Sequence, residues 1–149
     1  EMKVHFSSKT DLHETPQKFF NELNEEFNFT LDVCATVENA KCDRFYTIQD
    51  DGLVKDWCGV VWMNPPYGRA IGKWMAKAYN EANKKNLTIV CLVPSRTDTK
   101  WWHSYVIEHQ VRFIKGRLKF GNAKNSAPFP SAVVIMNRLP NYRDDTNEK

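Results

Sequence analysis

Apolar residues recur along the chain at two different periods, and the switches between them mark out the elements. Over residues 15–27, Phe19, Phe20, Leu23 and Phe27 return at helical spacing. Thr15 suits the N-cap of that helix, and Pro16 suits its first turn, where a missing N–H costs nothing. Residues 30–35 (T-L-D-V-C-A) read as a short buried strand carrying one carboxylate, Asp32. A buried strand rarely holds a carboxylate unless something binds it or it lies at the strand end. Residues 60–63 form a second strand, halted by Asn64-Pro65-Pro66-Tyr67-Gly68 because proline cannot donate to a central ladder. Ile71, Trp74, Met75, Ala78, Tyr79 and Ala82 then trace one face of a helix of about four turns.

Residues 87–93 are the third strand, and 94–98 its exit loop. Thr97 or Asp98 is the expected cap of a further helix whose inner face takes Trp102, Tyr105, Val106 and His109. Residues 111–114 and 117–120 are short strand candidates, and 131–136 the last strand. Alternating strands and helices predict an α/β fold, an open and mostly parallel sheet with helices on its faces. In such sheets ligands sit outside the carboxyl ends of the strands. Asp32, Asn64 and the 96–98 loop all end or follow strands, so parallel strands would gather them along one edge.

A chain of 149 residues predicts one domain over 1–149, with flexible ends at about 1–13 and 138–149. Hydrophobic residues at 42% and charged residues at 26% are globular proportions and argue against disorder. No apolar run approaches the ~20 residues that span a bilayer, and none near the N-terminus reads as a secretion signal. The cytoplasm is therefore the expected location, with no membrane partner. Cys34, Cys42, Cys58 and Cys91 form no C-x-x-C pair, and no histidine stands at ligand spacing from them, so no metal site is expected.

The net charge of +3 is mild, but its distribution is uneven. Arg96, Lys100, Arg112, Lys115, Arg117, Lys119 and Lys124 face only Asp98 and Glu108 over 96–124, with Trp101, Trp102, Tyr105, Phe113 and Phe120 interleaved. That pattern suits phosphate neutralisation with base stacking, and it equally suits a solvated face over core aromatics.

Asn64-Pro65-Pro66-Tyr67, between an apolar strand and an amphipathic helix, carries the most chemistry. Two prolines stiffen the corner, so that the Asn64 side-chain oxygen and the Pro65 carbonyl can converge as acceptors beside the Tyr67 ring. Paired acceptors and a flat ring suit a planar heterocycle with an exocyclic amino group. The amino nitrogen of adenine is a poor nucleophile because its lone pair is delocalised. Acceptors on both its hydrogens favour the tetrahedral nitrogen and positive charge of the transition state. A rigid turn is the plainer explanation of the same four residues.

The chain resembles the phage-type DNA N6-adenine methyltransferases, the phage Dam-like family. The matching segments are L-D-V-C-A-T with E-N-A-K-C, D-G-L with D-W, N-P-P-Y-G-R, P-S-R-T-D-T-K-W-W, R-F-I-K-G-R-L-K-F-G and A-P-F-P-S-A-V-V. The resemblance implies a Rossmann-like class I S-adenosylmethionine-dependent methyltransferase fold, mostly parallel with an antiparallel final strand. It implies methyl transfer from S-adenosylmethionine to the N6 amino group of an adenine flipped out of double-stranded DNA.

Carried onto this sequence, Asn64, Pro65, Pro66 and Tyr67 are the catalytic segment. Thr15 and Pro16 cover the methionine part of the donor, Asp32 answers its ammonium group, and Asp51 recognises its adenine. Ala35 and Asn64 complete the donor site. Asp51 before Gly52 is also a plain turn signal. The turn after the first strand, Cys34-Ala35-Thr36, lacks the glycines usual in methyltransferases.

Arg96, Lys115, Arg117, Lys119 and Lys124 are expected on DNA phosphates, with Phe120 or Phe129 either near the flipped base or simply in the core. No separate target-recognition domain fits, and a monomer and a homodimer are both open. The expected setting is a bacterial or phage-infected host cytoplasm. The alternatives are methylation of an RNA base or a glutamine amide at the same corner, or a non-catalytic nucleic-acid-binding module.

Overall fold

The apolar runs pair into one sheet in a computed structural model that describes residues 13–121 and 124–143. Its strands are β1 (Leu31–Asp32), β2 (Val60–Met63), β3 (Thr88–Pro94), β4 (Gln110–Phe113) and β5 (Ser131–Met136), in the order β1-β2-β3-β5-β4. β1, β2 and β3 are parallel, through pairs such as Asp32 with Trp62 and Met63 with Cys91. β5 runs antiparallel to both β3 and β4, with Val93 opposite Ala132 and Arg112 opposite Val133. The result is a mixed α/β fold whose final strand is antiparallel. Every residue of β5 is buried, which matches an uninterrupted apolar run between two neighbours.

The parallel register puts the carboxyl ends of β1, β2 and β3 along one edge. Asp32, Asn64 and the start of the Ser95–Arg96 loop therefore line up there, as the alternation of elements predicts.

Among the described residues three helices accompany the sheet: α1 (Gln17–Phe27), α2 (Ile71–Lys85) and α3 (Lys100–Tyr105). α1 buries Phe20 and Leu23, and Phe20 meets Trp62 of β2 edge-on at 5.2 Å between ring centres. Each such buried side chain contributes roughly 1.5–3 kcal/mol. α2 buries Ile71, Trp74, Met75, Ala78 and Ala82 of the stripe read from its spacing and leaves Tyr79 half-buried. It also buries Glu81, which accepts the Trp57 main-chain N–H and pairs with Lys77 and Lys85. α1 and α2 both stop at a left-handed asparagine, Asn28 and Asn86, a residue that tolerates that conformation.

Several boundaries differ from expectation. Thr15 does not cap α1; Pro16 occupies the cap position and makes no side-chain cap bond. The strand over 30–35 shrinks to Leu31–Asp32, because the Asp32 carboxylate takes the Cys34 N–H and turns the chain. Thr99, rather than Thr97 or Asp98, caps α3 by accepting the Trp102 N–H. α3 ends at Tyr105, so Val106 is buried just beyond it and His109 is only partly covered. Residues 117–120 form no strand; they run as a loop, which Ala127 closes by donating its N–H to the Leu118 carbonyl at 2.7 Å.

The ends of the chain expected to be flexible lie partly outside the described residues. Within them, Leu139 donates its N–H to Asn83 Oδ1 at 2.7 Å, and Tyr142 packs on Tyr79. Among the described residues no helix is long and apolar enough to cross a membrane.

Candidate active site

A cavity of about 520 Å³ lies against the ends of β1 and β2 that carry Asp32 and Asn64. Its wall brings together Thr15, Asp32, Ala35, Asp51, Asn64 and Pro66 from segments far apart in sequence. Pro16, Pro65 and Tyr67 lie off that wall, as do Arg96, Lys115, Arg117, Lys119 and Lys124.

Asn64 is the first residue after β2, where the prolines end the ladder. Its amide nitrogen donates to Thr15 Oγ1 at 2.9 Å and to the His13 carbonyl. Among the described residues its Oδ1 is buried without a hydrogen-bond partner. A carbonyl cannot donate, so the His13 oxygen identifies the facing end of the amide as nitrogen. A buried acceptor left unpaired costs about 1–3 kcal/mol and marks a place where a ligand proton is wanted.

Tyr67 is 4% exposed, and its hydroxyl donates to the Leu92 carbonyl at 3.2 Å. Burial pushes the phenol well above its ordinary range, so it stays a neutral donor. The His13 ring stacks on it with centres 4.6 Å apart and planes 21° apart, while Phe120 and Phe129 meet it edge-on. The ring expected to receive a base is thus already covered on one side by His13.

Asp32 is 2% exposed. Its carboxylate accepts the Cys34 N–H at 3.2 Å and the Lys41 N–H at 3.0 Å, which pins the 34–41 loop over the cavity. Burial raises its pKa, and the N–H groups oppose that rise. A carboxylate has about four acceptor positions, so two backbone donors leave capacity for a ligand cation.

Asp51 is exposed and left-handed at φ 62°, and its Oδ1 accepts the Leu53 N–H. It opens a short 3-10 turn at Gly52–Val54, so the plain turn role read from Asp51-Gly52 is real and coexists with its place on the wall.

The expected phosphate contacts Arg96, Lys115, Arg117, Lys119 and Lys124 are all exposed. Arg117 Nη1 also reaches the Ala127 carbonyl at 3.5 Å, bracing the loop from within. That loop joins the site through Gly121, whose N–H donates to the Glu14 carbonyl at 2.9 Å. Arg112 is different: it grips Glu26 through both guanidinium nitrogens at 2.7 and 2.8 Å.

Gly52, Trp74 and His13 are among the residues of the site that sequence reasoning missed. Gly52 lies against Val33 on the cavity wall; the D-G-L segment carried the signal, but only Asp51 drew attention. Trp74 reads as core from its helical stripe and serves the cavity wall as well. His13, just ahead of the Thr-Pro pair, had no local signal.

The same stretch of chain matches known proteins. The model of the family described as DNA N-6-adenine-methyltransferase (Dam) matches residues 4–142. A DNA N-6-adenine-methyltransferase of Haemophilus phage HP1 is 30% identical over 133 residues, covering 81% of this chain and 76% of that protein. A second, from Escherichia phage T1, is 33% identical over 96 residues, covering 62% of this chain and 39% of that longer protein. The family match takes in every strand of the sheet, the Asn64 corner and the whole cavity wall, and the chain belongs to the DNA N-6-adenine-methyltransferase (Dam) family of enzymes.

Proposed function

We propose that this protein transfers a methyl group from S-adenosylmethionine to the N6 amino group of an adenine extruded from double-stranded DNA. The fold would be a Rossmann-like class I methyltransferase carried by a single domain, a reading supported by the parallel strands and the antiparallel β5. The observation that carries the proposal is Asn64 Oδ1, a buried acceptor without a partner among the described residues, at a cavity of ligand size.

The residues on the wall fit the donor. Asp32, Ala35 and Asp51 would hold it, Asp32 with its remaining acceptor capacity toward the ammonium and Asp51 toward the adenine, while Thr15 on the same wall spends its hydroxyl on Asn64. Bound there, S-adenosylmethionine supplies an electrophilic methyl group. Asn64 Oδ1 and the Pro65 carbonyl take the two hydrogens of the target amine, steering the nitrogen lone pair toward that methyl. These acceptors meet more positive charge in the transition state than in the ground state, and this difference lowers the barrier. No charged base is needed at the start, since the amine gives up its proton after transfer.

The base reaches the Tyr67 face only when the His13 ring moves aside. Arg96, Lys115, Arg117, Lys119 and Lys124 would contact phosphates and set the duplex in place without reading its sequence.

The test is incubation with tritium-labelled S-adenosylmethionine and, separately, double-stranded DNA, RNA and protein. Label recovered in N6-methyladenine of DNA supports the reading. Label only in RNA or in glutamine, or DNA binding with no transfer, overturns it.

A further inference from the structure

We propose that Thr15 is a positioning residue, which turns the Asn64 amide so that its oxygen rather than its nitrogen meets the incoming amine; this rests on the function proposed above. The two ends of an asparagine amide are nearly equal in shape and opposite in hydrogen bonding. Only the oxygen end receives an amine hydrogen, so a freely turning amide would present the wrong end part of the time. Here one short segment supplies both acceptors for the nitrogen end, Thr15 Oγ1 at 2.9 Å and the His13 carbonyl. A half turn would press Asn64 Oδ1 against the His13 oxygen, which has no proton to offer. The oxygen end, buried and unpaired, is left for the substrate.

Thr15 is 3% exposed, so solvent does not compete for its hydroxyl. This use of the side chain also explains why a threonine standing just before a helix makes no cap for it. The neighbouring Glu14 carbonyl holds Gly121, which ties the positioning segment to the basic loop.

The test compares Thr15→Val, Thr15→Ser and Asn64→Ala in the full chain, with labelled S-adenosylmethionine and duplex DNA as substrates. Thr15→Val is expected to lower kcat on the order of 10- to 100-fold, as small misplacements of catalytic groups do. The KM for DNA and the calorimetric Kd for sinefungin, a donor analogue, should stay within about threefold, since ground-state binding is untouched. Thr15→Ser, which restores the oxygen, should recover kcat. In NMR spectra the Asn64 side-chain amide protons should exchange faster in Thr15→Val than in the parent or in Thr15→Ser. Thr15→Ala, which deletes the hydroxyl and adds no bulk, serves the same comparison if the valine variant does not fold.

An unchanged kcat in Thr15→Val beside an inactive Asn64→Ala overturns the positioning role and leaves the proposed function standing. Loss of sinefungin binding in step with kcat makes Thr15 a donor contact and overturns the positioning role too. A fully active Asn64→Ala removes the proposed function, and the positioning role with it.

Discussion

Gly52 packs so closely against Val33 that a Cβ on it would lie 2.6 Å from the Val33 carbonyl oxygen. The same atom would stand 3.0 Å from the Trp74 ring, and the Gly52 carbonyl already accepts the Trp57 indole N–H at 2.9 Å. The close backbone approach missing from the Cys34-Ala35-Thr36 turn is therefore present on the facing segment. Gly52→Ala forces that wall outward. We expect a loss of about 1–3 kcal/mol in chemical denaturation, the usual cost of overpacking, with weaker sinefungin binding. Parent-like stability and binding would show that the wall has room to spare.

Asn64→Ala removes the unpaired acceptor along with both anchoring bonds. Turnover should fall about 10²- to 10³-fold, the scale of losing one preorganised electrostatic contact. Sinefungin binding measured by calorimetry should change little, and its loss would place Asn64 in donor binding instead.

Asn64→Asp keeps the shape but puts an acidic group where the His13 carbonyl calls for a donor. Burial and that facing oxygen both favour the protonated acid, whose O–H can serve His13 while the other oxygen meets the amine. The activity of this variant relative to the parent should rise as pH falls, since protonation restores the donor. A ratio flat across pH would contradict the donor requirement.

Asp32 offers a pH signature in stability. Burial raises its folded-state pKa above the unfolded value, so its contribution is fully present below the ordinary carboxylate range and is lost as pH rises through the folded value. The stability difference between the parent and Asp32→Asn should therefore be largest in acid and shrink toward neutral pH. Urea denaturation at a series of pH values measures it; a difference that grows with pH would mean that the two backbone N–H bonds outweigh burial.

The basic loop separates by salt. Lys115→Ala and Lys119→Ala should each flatten the salt dependence of DNA binding by about one unit of slope. Arg112→Ala should leave that slope unchanged, because its guanidinium is engaged by Glu26. The pair is solvent-exposed, so it should contribute little to stability. A salt slope altered by Arg112→Ala would put that residue on the DNA.

Local patterns carried the main elements of the fold. The spacing of Phe20 and Leu23, the Trp74 stripe and the apolar run from Ile89 to Val93 each encode burial within a few neighbouring residues, and all but the half-buried Tyr79 of that stripe are buried as the periods require. The diproline stop after Met63 was equally legible, because proline's missing N–H acts wherever it stands. Of the candidate site, two residues and their shared edge were legible: Asp32 from an ionisable group in an apolar run, Asn64 from its prolines, and their meeting from the alternation of strands and helices.

What local pattern could not encode was partnership. Thr15 before Pro16 has every mark of a cap, yet its hydroxyl is taken by an amide 49 residues away. His13 over Tyr67, Gly52 against Val33 and Arg112 on Glu26 are likewise contacts across the sequence. Residue type and spacing thus determined which segments form elements and which side chains carry chemistry, since both follow from short-range sterics and burial. Which donor meets which acceptor, and which acceptor is left unpaired, was decided only when the parallel strands brought their carboxyl ends to one edge, because a hydrogen bond depends on distance and angle between groups that the chain order leaves far apart.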